Sequence, residues 1–468
     1  MKRGQKFMLE QSNKEESMDQ SSLKIEKPLK KEMWGYALSA FGVFVTWNLI
    51  GSFLSYYYTD VAGIAAGAVG TLMLVARLFD GFTDLGMGII VDKTKSKHGS
   101  ARPWLLWTAV PFGLAIVLVF SVPDIGETGM LLYAYVTYLG FVLLYTMVSI
   151  SYKSLQGFMT PYQDSRSLTN TYSGIFNFSG ALVAAVLSQP LAGLIGWTAV
   201  AAIYGSIAIV FILITFRSVK ERVGPNTFNS GDNVPFILGL KSLFKNKYWA
   251  ITAVFSVVFY AMVALVQGSS IYYAQVVLGN ANLVPIIGLA LTLPMIIGLL
   301  FMGPIVVKIG KRNASLIGVV VIIIGQSVKW IDPAHLPIYL IGSAIAGLGI
   351  MAPQAYIFGM INDTAEYGEY KTGLRTVGLV NSGSSFGTKA GSGIGLALIG
   401  WLLSFGGYIG GQAEQSPLAL EMILAINIYI PIILAILLII LLMFYKLDKE
   451  HSTIVAELQR RKINQMGE

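Results

Sequence analysis

The sequence contains no cysteine, which excludes disulfides, thiolate nucleophiles and cysteine metal sites and leaves the redox compartment unmarked. It has only three histidines, none placed to share a metal with another, so no metal centre is expected. No Gly-rich phosphate loop of the P-loop type occurs, and nucleotide hydrolysis is not an expected energy source. Charge is scarce as well: 12% of the 468 residues are charged against 54% hydrophobic, with a mean hydropathy of +0.65. The stretch from Met1 to Lys31 is polar and lacks a short apolar core, so no cleavable signal peptide is expected.

In place of these, apolar stretches of 18 or more residues recur along the chain, the pattern of an all-α polytopic membrane protein in a lipid bilayer. Twelve spans are read: about 34–58, 62–91, 104–122, 130–150, 169–194, 197–216, 249–274, 283–306, 315–331, 337–361, 376–405 and 419–445. They divide the chain into a tail at 1–33, a six-helix bundle at 34–216, a central loop at 217–248, a second bundle at 249–445 and a tail at 446–468. The net charge of +8 would suit a nucleic-acid partner if it were spread evenly, but the lysines and arginines gather in the tails and alternate loops. The loops between them, around 59–62, 123–129, 195–196, 275–282, 332–336 and 406–418, hold none. By the positive-inside rule both termini and the central loop are expected in the cytoplasm, in a multi-pass protein of the cell membrane with no nucleic-acid role.

One span carries charge where hydrocarbon would surround it: Ala76-Arg77-Leu78-Phe79-Asp80-Gly81-Phe82-Thr83-Asp84. A charged side chain at the bilayer centre costs at least ~2.5 kcal/mol by insertion scales, so such residues usually face protein or a wet cavity. Arg77 and Asp80 are three apart, Asp80 and Asp84 four apart, and all three fall near one helical face. Two carboxylates one turn apart repel unless a cation or proton lies between them. The stretch therefore reads as a monovalent cation site, or else as an ion-pair cluster that only holds helices together. Lys389, in the eleventh span, needs an acidic partner in such surroundings, and Asp80 or Asp84 is the candidate. Lys329 stands at a helix end beside Trp330 and Asp332, and is expected to snorkel to the interface.

The two halves echo one another. Tyr57-Tyr58-Thr59-Asp60-Val61-Ala62-Gly63 ends the first span, and Tyr272-Tyr273-Ala274-Gln275-Val276-Val277-Leu278-Gly279 ends the seventh, with one inserted residue allowed. Gly88-x3-Asp92-Lys93-x-Lys95-Ser96-Lys97 follows the second span, and Gly303-x3-Val307-Lys308-x-Gly310-Lys311-Arg312 follows the eighth. This pair resembles the loop motif of the major facilitator superfamily, in which two six-helix halves rock about a midplane site. The chain also carries Tyr56-Tyr57-Tyr58-Thr59-Asp60, Val75-Ala76-Arg77-Leu78-Phe79-Asp80-x3-Asp84, Arg102-Pro103-Trp104, Asp363-Thr364-x-Glu366-Tyr367-Gly368-Glu369-x-Lys371-Thr372-Gly373-x-Arg375, and Lys389. With these it resembles the glycoside–pentoside–hexuronide:cation symporters, the group of melibiose permease.

The resemblance implies a secondary transporter that is not an enzyme, needs no cofactor, and moves a sugar with Na⁺ or H⁺, with a functional monomer expected. A lysolipid or other amphiphile carrier and a passive sugar facilitator are the alternatives. The resemblance places the cation on Asp80, Asp84, Thr83 and Thr146, with Arg77 and Lys389 as charge partners. Sugar recognition needs rings, donors and acceptors, and the candidates are Trp47, Asn48, Tyr145, Ser149, Lys153, Tyr172, Gln267, Tyr272, Gln354 and Ser385, with Asn177 and Asn381 beside them. The pocket departs from melibiose permease: Phe44 and Ser149 replace two sugar-binding acids, and Gln354 and Lys153 two tryptophans, while Ser173 stands where many members of the group have arginine. An α-galactoside is therefore not expected. Lys153 could serve an anionic sugar, or merely close the fourth helix at the cytoplasmic face. Asp92, Arg102, Asp363, Glu366, Glu369 and Arg375 are assigned to a cytoplasmic charge network, with the cluster from Asp363 to Arg375 expected to meet Lys95, Arg102 or their neighbours.

Overall fold

The computed structural model describes residues 27–223, 236–374, 376–412 and 414–466, and all regular structure among them is helical. The first bundle comprises α1 (Lys30–Tyr56), α2 (Ala66–Lys93), α3 (Arg102–Val119), α4 (Glu127–Met159), α5 (Gln163–Ile195) and α6 (Trp197–Ser218). A short helix, Phe236–Phe244, leads into α7 (Lys247–Tyr272). The segment Val284–Ile331 is two helices, α8 and α9, broken at Gly310, whose φ of 81° an L side chain rarely adopts. Then come α10 (Leu336–Thr372), α11 (Val377–Phe405) and α12, in which Pro417–Leu424, Ala425–Tyr429 and Ile430–Phe444 run end to end. A terminal helix, α13, spans Leu447–Met466.

Eleven of the helices described are long and apolar enough to cross a membrane. The remaining crossing is α2, whose apolar run is interrupted by Arg77, Asp80 and Asp84. Twelve crossings return the chain to the face it left, so α13 and the start of α1 share one face, called here the terminal face.

Several helices outrun their sequence-based limits. No breaker interrupts the fourth span, and α4 continues to Met159, so the polar connection expected at 153–166 shrinks to three residues. In the same way α10 runs past 361 to Thr372 and ends where Gly373 takes φ 70°. The central loop expected at 217–248 is shortened from both ends, and its residues 224–235 lie outside those described.

The internal repeat is structural as well as textual. Both α1 and α7 end in a π-helical turn, Tyr57–Val61 and Tyr273–Val277. Ala62 and Ile64 amides donate to the carbonyls of Tyr57 and Tyr58, and Leu278 and Asn280 amides donate to those of Tyr273 and Ala274. Gly63 and Gly279 follow at φ 74° and 69°. The backbone thus pairs Tyr57 with Tyr273, one residue from the match by letters, and needs no insertion. The loops after α2 and α8 repeat too. Arg102 donates its guanidinium to the Phe216 carbonyl while Glu221 accepts its amide. Arg312 donates to the Leu442 carbonyl while Asp448 accepts its amide.

Across the pseudo-twofold, α2 packs along α11, α5 meets α8, and α1 meets α7. Small residues let these backbones close. A Cβ on Gly400 would lie 2.6 Å from the Gly70 backbone, and one on Gly288 would lie 3.2 Å from Ala185. In lipid, with no hydrophobic drive between spans, such close backbone packing is the main source of helix association.

Candidate functional site

Between the halves lies a cavity of about 510 Å³ whose wall draws on α1, α2, α4 and α5 of one half and α7, α8, α10 and α11 of the other. At its edge the acids of α2 meet the lysine of α11. Lys389 Nζ lies 2.9 Å from Asp80 Oδ1 and 2.5 Å from Asp84 Oδ2, and donates also to the Asp80 carbonyl at 3.2 Å. Asp80 is fully buried, while Lys389 forms part of the cavity wall. The Thr146 hydroxyl donates to Asp80 Oδ1 at 2.9 Å and lies 3.1 Å from that of Thr83, which bonds the Asp80 carbonyl.

Two carboxylate oxygens, Asp80 Oδ2 and Asp84 Oδ1, are buried with no hydrogen-bond partner. Unmet acceptors beside two hydroxyls form an oxygen-rich set of the kind hard monovalent cations take. Lys389 holds the position between the carboxylates that repulsion alone would give to an ion.

Arg77 is placed otherwise than expected. It makes no ion pair with either carboxylate; its guanidinium carbon lies 3.9 Å from the centre of the Trp47 ring. Lys389 already serves the acids, and an arginine plane gains by covering an aromatic face. Tyr145 stacks on Trp47 at 3.9 Å and 15°. Two such neighbours occupy both faces of the indole, so Trp47 meets the cavity by its edge.

Of the substrate candidates, Trp47, Asn48, Lys153, Gln267, Gln354 and Ser385 line the cavity, as does Asn177. Tyr145, Ser149, Tyr172 and Tyr272 do not. Tyr145 is spent behind Trp47, and Ser149 bonds the Thr146 carbonyl within its own helix. Tyr172 stacks on Trp34 at 4.8 Å, and Tyr272 lies 2.9 Å from the Thr59 hydroxyl in the seal described below. Asn381 also lies outside the wall. Lys153 does not close the fourth helix: six residues of helix follow it, and it faces the cavity. Tyr260, Thr292, Thr388, Ser392 and Phe358 also line the wall and were not singled out from the sequence. Tyr260 accepts from Gln354 at 3.3 Å. Nothing local marks them, since a polar or aromatic residue on a membrane helix reads the same wherever it points.

The charge network of the terminal face is wired within halves. Asp363 takes Lys311 at 2.7 Å, and His451 of α13 lies 2.6 Å from Glu366 and 3.5 Å from Asp363. Asp363 and Glu366 are thus held by Lys311 and by His451 of α13 rather than by Lys95, Arg102 or their neighbours, and Arg102 is engaged at Phe216. Asp92 is exposed at the end of α2, Glu369 follows one turn after the other acids on α10, and Arg375 lies outside the described residues. Lys329 does not snorkel. It is 1% exposed, its ammonium 4.6 Å from the Tyr339 ring, and Gly342 leaves room for its stem.

On the face opposite the termini the halves are tied together. Asp60 Oδ1 accepts from the Tyr408 hydroxyl at 2.7 Å and from the Gly411 amide at 3.2 Å, beside the Thr59–Tyr272 contact. Tyr408 lies outside the spans; burial, and then the charge of Asp60, hold its phenol well above the ordinary range, so it stays a donor.

The comparisons with known proteins agree with this architecture. The family described as MFS/sugar transport protein matches residues 35–449. The isoprimeverose transporter of Lactiplantibacillus pentosus is 34% identical over 92% of this chain and 91% of its own. The glucuronide carrier protein homolog of Escherichia coli K12 is 33% identical over 88% and 91%. Among solved structures, a bacterial homolog of the lysosomal transporter Spinster superposes with a TM-score of 0.66 at 13% identity, over 90% of this chain and 98% of that one. The nucleoside transporter NupG gives 0.62 at 18%, over 89% and 100%; both likenesses speak to fold alone. With a family match and close relatives spanning nearly its whole length, the chain belongs to the sugar-transport family of the major facilitator superfamily, the glycoside–pentoside–hexuronide group, and is a membrane transporter rather than an enzyme.

Proposed function

We propose that the protein is a sugar:cation symporter in which Na⁺ or H⁺ binds at Asp80 and Asp84 and displaces Lys389. The observation that carries this reading is the ammonium of Lys389 held between the two carboxylates at the cavity wall. A cation there competes with the lysine. Once freed, Lys389 can turn into the cavity and donate to a substrate oxygen. One side chain then belongs to both sites, and each ligand raises the affinity for the other by the same factor. Thr83 and Thr146 supply hydroxyl oxygens to the ion.

The seal at Asp60 and Tyr408 leaves the cavity between it and the terminal face. The terminal face takes the basic loops and is read as cytoplasmic, so this arrangement corresponds to a carrier awaiting release or return on the inside. Rocking of the halves would break the seal and expose the same cavity outside. The monomer contains both half-sites of the cavity, which supports a monomeric working unit.

Asp80→Cys and Asp84→Cys are each expected to insert normally and lose cation-stimulated sugar uptake in proteoliposomes. Full gradient-driven accumulation by both variants would defeat the proposal.

A further inference from the structure

The cavity wall presents three bases, Arg77, Lys153 and Lys389, and no aspartate or glutamate. Lys389 is held by Asp80 and Asp84 just behind the wall, and Arg77 is buried against Trp47, away from the open cavity, with two guanidinium nitrogens lacking a hydrogen-bond partner. Lys153 is exposed to the cavity and makes no ion pair or hydrogen bond among the described residues. The three bases with Asp80 and Asp84 together leave the site one positive charge in excess. Closing over a neutral sugar would strip water from an ammonium that gains no partner, and an uncompensated buried charge is costly.

From this we infer that the preferred substrate is a sugar carrying one negative charge, a hexuronide, whose carboxylate pairs with Lys153. The inference rests on the symport reading and narrows it.

Three further features agree. Both faces of Trp47 are covered, by Tyr145 and Arg77, so the usual indole stacking platform for a neutral ring is missing here and charge must supply more of the recognition. Asn48, Asn177, Gln354 and Ser385 remain on the wall to meet hydroxyls. The loaded state also balances. A monovalent cation and a monoanion entering together leave the net charge of the site as it was, whereas a cation with a neutral sugar adds one more positive charge to a desolvated space. An ammonium–carboxylate contact of this kind is a charge-assisted hydrogen bond, about twice as strong as a neutral one.

The test uses the full chain in proteoliposomes, with Na⁺ and pH gradients imposed separately. The probes are methyl glucoside and methyl xyloside against methyl glucuronide and methyl galacturonide. The wild type is expected to take up the uronides about tenfold or more better than the neutral glycosides, in line with a charge-assisted contact. Lys153→Gln is expected to bring that preference to near unity through a raised half-saturation concentration for the uronides, and Lys153→Arg to restore most of it. A wild-type preference for the neutral members, or a Lys153→Gln variant that keeps the uronide preference, overturns the inference and leaves cation-coupled transport intact. Uptake of no member in response to either gradient overturns both.

Discussion

Thr146 shows how little chemistry separates a structural residue from a functional one. Its hydroxyl donates to Asp80 Oδ1, and in the proposed loaded state the same oxygen faces the ion. Hydrogen bonds to charged groups contribute about 1.5–3 kcal/mol, so Thr146→Val is expected to raise the cation concentration for half-maximal uptake about tenfold or more, while Thr146→Ser stays near wild type. Uptake measured against stepped Na⁺ and H⁺ concentrations checks this; an unchanged half-maximal concentration in the valine variant would remove Thr146 from the site. At the same scale, the sequence made Asp80, Asp84 and Lys389 legible because charge in an apolar helix has few tolerable explanations. Arg77 was misassigned by the same logic, since spacing places a side chain on a face but does not choose between an acid and an indole as its partner.

At the level of helices, the packing depends on glycines whose meaning is invisible until the neighbour is known. Gly400 of α11 lies against Gly70 of α2 so closely that any Cβ would strike backbone. Gly400→Val is expected to cost about 1–3 kcal/mol by overpacking and to pry apart the two helices that carry Lys389 and Asp80. Lowered thermal stability in detergent together with weakened cation binding is the expected pair of results. A stable variant with normal cation dependence would show that the crossing tolerates separation. The sequence does not say which neighbour each glycine of α11 meets. Helix ends were the least legible feature: α4 and α10 run on through polar residues because no breaker stops them, and that extension is what carries Lys153 onto the cavity wall.

For the whole molecule, the seal opposite the termini is small, a few hydrogen bonds around Asp60, Tyr408, Thr59 and Tyr272. A carrier must open it in every cycle, so it can be worth only a few kcal/mol against the alternative state. Tyr408→Phe removes one donor and is expected to shift the population toward the state open on the opposite face. Because the chain has no cysteine, a single Gln267→Cys in the cavity reports access cleanly. Alkylation by a membrane-impermeant reagent from the opposite face is expected to rise severalfold in the Tyr408→Phe background, consistent with loss of one hydrogen bond to a charged group. No rise would mean that the seal is held elsewhere.

The sequence by itself determined the membrane body, its twelve crossings, its division into repeated halves, and the acids and lysine that cannot face lipid. These follow from local rules: an apolar run long enough to span, a charge too costly to leave in oil, a motif written twice. Tertiary structure alone decided which polar side chains meet in the cavity, that Lys389 rather than Arg77 bridges the carboxylates, that Trp47 is covered on both faces, and that Lys153 makes no ion pair or hydrogen bond among the described residues. Those outcomes depend on how helices far apart in the chain rotate and cross, and helix rotation is set by packing against neighbours that no single span encodes.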